Sequence, residues 1–214
     1  MAKAIKWSFA ALQHTFGLKQ RFIENYPLLE SWINSPIDLT KEEQIELETI
    51  RKELQDNVLY WNEEELKMYF ISVILRILPH KDIDGIRGYL DREISSQVQN
   101  TLLKAKADYM IAKGFGDIME APYFCFHEYK QEKSPSEDPA AQVLKAMLIA
   151  REVNHNNHPI YGCYVTGRNW YFLILENNDF AISNPLAATD KKELFQIVSI
   201  LKAFKTILVE KLMI

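Results

Sequence analysis

Two apolar, strand-like segments that lie close together constrain the fold of this 214-residue chain more than any other feature. The first is ADYMIAKG (residues 107–114), and the second is PYFCFHEYK (residues 122–130). The intervening GFGDIMEA carries two glycines, which favour a loop. We therefore predict a β-hairpin whose second strand begins in apolar residues and ends in charged ones.

The charged end of the second strand brings a carboxylate and an ammonium to one side. Alternate residues of a regular strand share a face. The shared face here holds Phe124, Phe126, Glu128 and Lys130. The same acid-x-lysine spacing at residues 65–67 and 190–192 falls on predicted helices, where positions two apart do not share a face. Two interpretations follow: a solvated ion pair, which would stabilise the fold little, or a site for a metal and a water.

An inferred hairpin register adds a second carboxylate. Pairing the strands around a loop centred near Ile118 places Asp108 opposite Glu128. Directly opposed residues have Cβ atoms about 5 Å apart, so the two carboxylates could jointly hold one divalent cation. Asp117 lies at the hairpin tip, roughly ten residues or ~30 Å from Glu128, and is excluded on that distance. A one-residue slip would move Asp108 to the other face.

Two carboxylates and a lysine suit metal-assisted hydrolysis of a phosphodiester. Carboxylate oxygens are ligands of Mg²⁺, a hard cation that keeps several of its waters. A bound metal stabilises charge on the phosphate and lowers the pKa of a water. The lysine could position that water or stabilise developing negative charge. The residue types therefore point to this chemistry if the register is right.

The first 100 residues are predicted to be helical. Two capping-box spacings, each followed by an apolar-periodic run, mark helix starts. They are Thr40 with Glu43 and Asn62 with Glu65. Residues 80–95 contain two glycines and are predicted to form a loop with a short amphipathic turn.

After residue 100 the pattern alternates between strands and helices. A helix capped by Asp138, with Pro139 in its first turn, is predicted to run to about Asn154. A second hairpin follows around the turn TGRN (residues 166–169), and Thr189 opens a long amphipathic helix. The predicted fold class is α/β (mixed α+β), a central mixed sheet flanked by helices.

Charge and hydropathy exclude two classes of protein. A formal net charge of −4 argues against a general nucleic-acid coat protein, which would show a basic excess, but allows a nuclease with a locally positive groove. No stretch reaches the roughly 18 uninterrupted apolar residues of a membrane span, and no signal-peptide cleavage site follows the N-terminus. We expect a cytoplasmic protein with no membrane partner. Cys125 and Cys163 are expected to be buried free thiols.

The segments ADYMIA and FCFHEYK resemble the PD-(D/E)XK nuclease superfamily, which has the restriction-endonuclease-like fold. The resemblance covers about residues 60–180. In order, it comprises a glutamate-bearing helix, an Asp-bearing strand, a strand ending in Glu-x-Lys, and a helix that crosses over to later strands. WNEEELKMYFISVIL and GRNWYFLILE are similar to segments of a bacterial subgroup. Ala107 stands in the place of the proline in the family name.

The resemblance implies that Asp108 and Glu128 are metal ligands and that Lys130 positions the attacking water. It also implies a catalytic role for Gln142, which matches a glutamine on the next helix in some branches. Ala146 stands where those branches often place a tyrosine. From the residues alone, Gln142 is equally well a polar residue in a first helical turn.

The resemblance further implies that a helix glutamate completes the metal shell. The candidates are Glu63, Glu64 and Glu65. Glu63 lies on the helix face that carries Leu66 and Phe70, so we favour it, with Glu65 second. First-turn acids are also favoured by the helix dipole alone, which leaves a purely structural interpretation open.

The function that the resemblance implies is that of a nuclease dependent on Mg²⁺ or Mn²⁺, acting on DNA or RNA. The nuclease-like domain is expected at residues 61–214, with a helical N-terminal segment at residues 1–60 packed on it. The alternative is a catalytically inactive nuclease-like fold that binds a nucleic acid or a protein. A third interpretation is an interaction protein with a chance resemblance. A monomer would nick one strand, whereas a homodimer could cut both.

Overall fold

A mixed β-sheet forms the centre of the protein, in a computed structural model that describes residues 7–36, 38–79, 83–133 and 138–213, with eight strands in those ranges. The strands are β1 (Lys19–Arg21), β2 (Ile86–Val98), β3 (Thr101–Phe115), β4 (Ile118–Lys130), β5 (Ile160–Thr166), β6 (Asn169–Glu176), β7 (Asp179–Ile182) and β8 (Leu186–Ala187). Their order is β1-β7-β6-β5-β4-β3-β2, with β8 paired to β6. The β4–β5 and β1–β7 pairs are parallel and the others antiparallel.

Helices cover both faces of the sheet. They are α1 (Phe9–Phe16), α2 (Pro27–Ile33), α3 (Lys41–Asn57), α4 (Glu63–Leu66), α5 (Ser72–Ile77), α6 (Pro139–Asn154) and α7 (Lys191–Ile207), with a 3₁₀ turn at Ile23–Asn25 and π-helical turns at Lys67–Ile71 and Leu208–Leu212. One hydrophobic core lies between the sheet and α6 with α1, and the other lies beneath α2 to α5 and α7. The predicted fold class, a central mixed sheet flanked by helices, is confirmed.

The helix starts follow local capping chemistry. The two predicted capping boxes are both present, with side chain and backbone bonded reciprocally in each. Asp138 caps α6, which ends at Asn154 as predicted. The last helix is capped by Asp190, whose carboxylate accepts a hydrogen bond from Glu193 N, rather than by Thr189 as predicted. Cys125 and Cys163 are buried free thiols, as expected.

The prediction that residues 1–100 are helical is wrong in two places. β1 lies in the first 60 residues and pairs with β7. Residues 80–95, predicted as a loop, contribute most of β2, which pairs with β3 along its length. Alternation in β2 is hard to recognise because Asp91 has a positive φ of 56° and interrupts the parity of its buried residues. Residues 80–82 lie outside the described residues.

The first hairpin is longer than predicted, and its turn is displaced. Only residues 116 and 117 form the turn, so most of the predicted loop at residues 114–121 is strand. Phe115 pairs with Ile118 at the tip, but Tyr109 pairs with His127 near the charged end, which is the predicted register. The pairing register differs between the two ends of the hairpin, and two register shifts between Ile111 and Lys113 account for the difference.

The extra residues of β4 at these shifts also change one facing prediction. Phe124 packs in the same core as Cys125 and Tyr129, whereas Phe126 packs in the core beneath α6. The prediction that Phe124 and Phe126 share a face is therefore wrong. A bulge resets strand parity, so alternation holds only on the C-terminal side of it.

A carboxylate and lysine cluster as the candidate active site

Three carboxylates and two ammonium groups form one continuous chain of ion pairs. Lys67 Nζ lies 2.8 Å from Asp108 Oδ1 and 2.7 Å from Glu63 Oε1. Lys130 Nζ lies 3.2 Å from Glu63 Oε2 and 2.7 Å from Glu128 Oε1. The charges therefore alternate from Asp108 through Lys67, Glu63 and Lys130 to Glu128. Residues up to 67 positions apart in sequence meet at this cluster.

Asp108 is held by the strand beside it. Its Oδ2 accepts a hydrogen bond of 2.8 Å from the backbone N–H of Tyr129, between Glu128 and Lys130. The side chain thus ties β3 to the charged end of β4 just beyond the last paired residues, Tyr109 and His127. This bond fixes the predicted proximity of Asp108 to the Glu-x-Lys segment.

The N-terminus of α4 decides which helix glutamate joins the cluster. Asn62 caps the helix because its side-chain oxygen accepts a hydrogen bond from Glu65 N–H, and the Glu65 carboxylate accepts one from Asn62 N–H at 2.8 Å. The carboxylate of Glu65 is therefore engaged in the helix cap. Glu64 is 83% exposed and reaches Lys67 only at 3.4 Å. Glu63, the favoured candidate, faces the cluster and contacts both lysines.

Burial gives the Glu128–Lys130 pair unusual electrostatics. The Glu128 side chain is 5% exposed, and that burial, with the nearby charge of Asp108, raises the pKa of its carboxyl to about 7 despite the bond from Lys130. Burial alone would lower the pKa of Lys130, but its bond to Glu128 and the negative charges of Glu128, Glu63 and Asp108 together outweigh burial and raise the pKa. The Glu63 pKa is lowered because its bonds to Lys67 and Lys130 outweigh its burial. Lys130 is thus charged at neutral pH, and Glu128 is close to its titration range.

Lys67 is the one member of the cluster that the sequence analysis missed. It lies four residues after Glu63, the spacing at which helical side chains meet, so the i,i+4 rule could have found it. Lys67 begins the π-helical turn that joins α4 to α5, and such turns are frequent at functional sites. Burial lowers its pKa, but the bonds to Asp108 and Glu63 outweigh that effect and raise it.

Gln142 lies on α6 and not among the ion pairs described above. Its Oε1 is buried and has no hydrogen-bond partner among the described residues. The side chain lines a cavity of about 520 Å³ whose other polar residues come mainly from β2, β3 and α6. These residues are Glu93, Ser95, Lys104, Lys106 and Lys145. The three lysines outnumber the one glutamate at this cavity, and Lys106 Nζ is paired with Asp91 Oδ1 at 2.7 Å.

The chemistry of the donors fits a hard divalent cation, since Glu63, Asp108 and Glu128 converge with carboxylate oxygens only. Their present partners are ammonium groups. Among the described residues, no group of three or more His, Cys, Asp and Glu side chains is arranged as a ready metal cluster. Lys67 Nζ bridges Glu63 and Asp108, so one cationic position between carboxylates already exists.

Comparisons with known proteins include a solved structure of a protein–DNA complex. No protein-family model matches the chain, and no curated protein matches it. The chain is similar to a chain in the cryo-electron-microscopy structure of a DrdV–DNA complex, at 14% identity and a TM-score of 0.44. The similarity covers 76% of this chain and 14% of that one. We therefore base the function on the geometry of this chain's own residues.

Within the described ranges, no helix combines the length and the apolar character that crossing a bilayer requires.

Proposed function

We propose that this protein is a metal-dependent nuclease of the PD-(D/E)XK type that hydrolyses phosphodiester bonds in a nucleic acid, with DNA as the first substrate to test. The observation that carries the proposal is the convergence of Glu63, Asp108 and Glu128 with Lys130 at the end of β4. These residues come from one helix and two strands, and they are the residue types that the family motif requires.

Each residue has a role that follows from its contacts. Asp108, Glu128 and Glu63 would hold Mg²⁺ or Mn²⁺ through carboxylate oxygens. The bound ion would supply charge stabilisation at the phosphate and a water of lowered pKa. Lys130 is buried, charged and held by two of these carboxylates, so it can hold the water in place or stabilise developing negative charge.

The cost of burying these charges supports a functional interpretation. An ion pair taken out of water is often no more stabilising than apolar residues of the same volume. Glu128 and Lys130 are both buried, and Glu128 keeps an unfavourable neighbour in Asp108. A group whose pKa is perturbed by burial and by specific charges is a candidate for a functional site.

The lysine-lined cavity at Gln142 supports a nucleic acid as the partner. Its lysines include Lys106, which lies two residues before Asp108 on β3. Lysines contribute to nucleic-acid affinity by neutralising backbone phosphates. Gln142 lines this cavity and belongs to none of the described ion pairs, so it would act there by binding substrate. A dimer is a separate proposal, which cleavage of one or both strands would test.

One observation favours a second function, that of a binding module without catalysis. Lys67 and Lys130 already neutralise much of the charge of the three carboxylates, so the cluster is satisfied without a metal. Such a module would bind its partner equally well in the presence of a chelator and would not depend on Lys130.

Calorimetry with Mg²⁺ and Mn²⁺, followed by cleavage of plasmid DNA, single-stranded circular DNA and RNA, separates the two functions. We expect metal binding by the wild type, and cleavage that falls by at least roughly 100-fold in Lys130→Met and in Glu128→Gln. Glu120→Gln, an exposed carboxylate on the same strand, is the matched control and should retain activity. Absence of metal binding and of cleavage would overturn the nuclease proposal.

A further inference from the structure

Exposed apolar side chains flank α4 in sequence, two residues before it and two after it, next to the ion-pair cluster. Tyr60 is 78% exposed, Met68 70% and Tyr69 46%, and Trp61 is half-buried between them and the core. We call Tyr60, Trp61, Met68 and Tyr69 the aromatic face. Single exposed apolar residues are normal on a protein surface, but three exposed ones near a half-buried tryptophan in one short segment make this segment a candidate contact for a partner.

The aromatic face is held in place before any partner binds. The backbone N–H groups of Tyr60 and Trp61 both donate to the carbonyl of Asn57, at 2.8 and 3.0 Å, which fixes the turn after α3. The Trp61 and Tyr69 rings pack against each other with centroids 5.6 Å apart and planes tilted by 41°. Because the rings are pre-arranged, little ordering cost remains for binding a flat ligand.

One positive charge lies beside the ring of Tyr60. Lys133 Nζ is 5.8 Å from the centroid of the Tyr60 ring, a cation–π contact. A stacking ring next to a cation is the combination by which proteins hold a base and the phosphate that follows it. The aromatic face and Lys133 together can thus contact a ligand that has both an apolar part and an anionic part.

The aromatic face adjoins the candidate active site along two segments of the chain. Tyr60 precedes Glu63 by three residues, and Lys133 follows Lys130 by three residues. Three residues span at most roughly 10 Å even when fully extended. A nucleic-acid strand whose phosphate lies at Lys130 would therefore place neighbouring nucleotides within reach of Tyr60.

We propose that the aromatic face binds unpaired bases, and hence that the substrate of the proposed nuclease is a single strand or a single-stranded region. The bases of a duplex are stacked on one another, and their flat faces cannot meet a protein ring unless they leave the stack. The face of an unpaired base is not covered by neighbouring bases in this way, so it can stack on a protein ring. The statement about cleavage rests on the proposed function, whereas the statement about binding does not.

Fluorescence anisotropy in EDTA tests the binding alone, because a chelator removes any metal-dependent cleavage. The probes are a labelled single-stranded DNA, an RNA of the same sequence, and a duplex closed at both ends by loops shorter than the binding site. We expect the single strands to bind more tightly than the duplex. In the double variant Tyr60→Leu with Tyr69→Leu, single-strand affinity should fall roughly 10- to 100-fold, while duplex affinity stays unchanged.

Phe22→Leu is the matched control, because Phe22 is also 78% exposed but belongs to the segment before α2. It should bind single strands as the wild type does. Equal binding of duplex and single strand, an unchanged double variant, or no binding of any oligonucleotide would each overturn the proposal. Equal affinities for DNA and RNA would support recognition of the base alone.

The binding assay in EDTA and a separate cleavage assay with metal together separate this proposal from the proposed function. If Lys130→Met leaves metal-dependent cleavage unchanged while the double variant loses single-strand binding, the catalytic assignment fails and the aromatic face stands. If metal-dependent cleavage is confirmed but the double variant binds and cuts single strands normally, the aromatic-face proposal fails alone. Thermal melting of each variant shows whether a loss reflects unfolding.

Discussion

Lys67 Nζ lies 2.8 Å from Asp108 Oδ1 and 2.7 Å from Glu63 Oε1, so one lysine bridges two carboxylates that we propose as metal ligands. An ammonium and a divalent cation cannot share this position without strong repulsion. If the proposed function holds, the Lys67 side chain must leave at least one of its partners when the metal binds.

Replacing Lys67 therefore changes metal affinity in a defined direction. Lys67→Met keeps the length of the side chain and removes its charge. We expect Mg²⁺ and Mn²⁺ to bind roughly tenfold or more tightly, which corresponds to about 1.4 kcal/mol. Lys67→Arg keeps the charge and should not gain affinity. Calorimetry on the three proteins measures the difference, and equal or weaker binding by Lys67→Met would show that Lys67 does not compete with the metal.

The raised pKa of Glu128 predicts how stability depends on pH in metal-free buffer. The folded protein holds the Glu128 proton up to a pKa of about 7, whereas the unfolded chain releases it near 4.5. The folded state thus binds more protons between these values, and its stability falls as the pH rises through that window. We expect a loss on the order of 3 kcal/mol from this group.

Denaturant melts from pH 4.5 to 7.5 measure this effect. In Glu128→Gln the decline between pH 5 and 7 should flatten, because an amide does not titrate. Glu120→Gln, on the same strand but exposed, serves as the control and should keep the slope of the wild type. An identical slope in Glu128→Gln would contradict the assignment of the raised pKa to this carboxyl.

The capping box at α4 should affect metal binding as well as stability. Asn62→Ala removes the side-chain acceptor of Glu65 N and should lower the free energy of unfolding by about 0.5–2 kcal/mol. Fraying of the first turn would also displace Glu63 from Lys130. We therefore expect weaker Mg²⁺ binding in Asn62→Ala, although Asn62 itself touches no ligand. Thr40→Ala removes the equivalent cap of α3, and calorimetry should show unchanged metal affinity in that control.

Because α6 packs closely on β5, we expect a substitution at their contact to lower the free energy of unfolding. A Cβ at Gly162 would lie 2.6 Å from Val143 Cγ1 and 3.0 Å from Met147 Sδ, so Gly162→Ala forces the helix or these side chains to shift. Overpacking of this kind typically costs about 1–3 kcal/mol. A melting curve equal to that of the wild type would show that the interface has spare room. Val143→Ala removes the atom nearest to the added Cβ, so it should cost less stability in the Gly162→Ala background than in the wild type.

Local signals predicted the parts of the structure that local chemistry decides. The caps at Thr40, Asn62 and Asp138 are visible as residue types at fixed spacings, and the structure confirms all three. The choice of Glu63 over Glu65 could also be predicted from the sequence. A capping box commits the Glu65 carboxylate to the backbone of Asn62, which leaves Glu63 free to face the sheet.

Features that depend on pairing between distant segments were harder to predict. β2 was missed because its buried residues lose strict alternation at Asp91 and because much of its surface is charged or polar. Lys67 was not predicted because metal ligands are carboxylates, and their type does not indicate which lysine pairs with them. Its contact with Asp108 joins residues 41 positions apart, which no local pattern encodes.

The two register shifts in the β3–β4 hairpin divide that hairpin into mechanically separate halves. The half beyond Lys113 ends in an exposed turn, and the irregular pairing at residues 111–113 lies between that turn and the aligned positions of Asp108 and Glu128. A change in the length of the outer half can therefore be absorbed at the bulges without rotating either carboxylate. The turn at residues 116 and 117 is a position at which a fluorophore or a peptide tag could be inserted while the ion-pair cluster keeps its geometry.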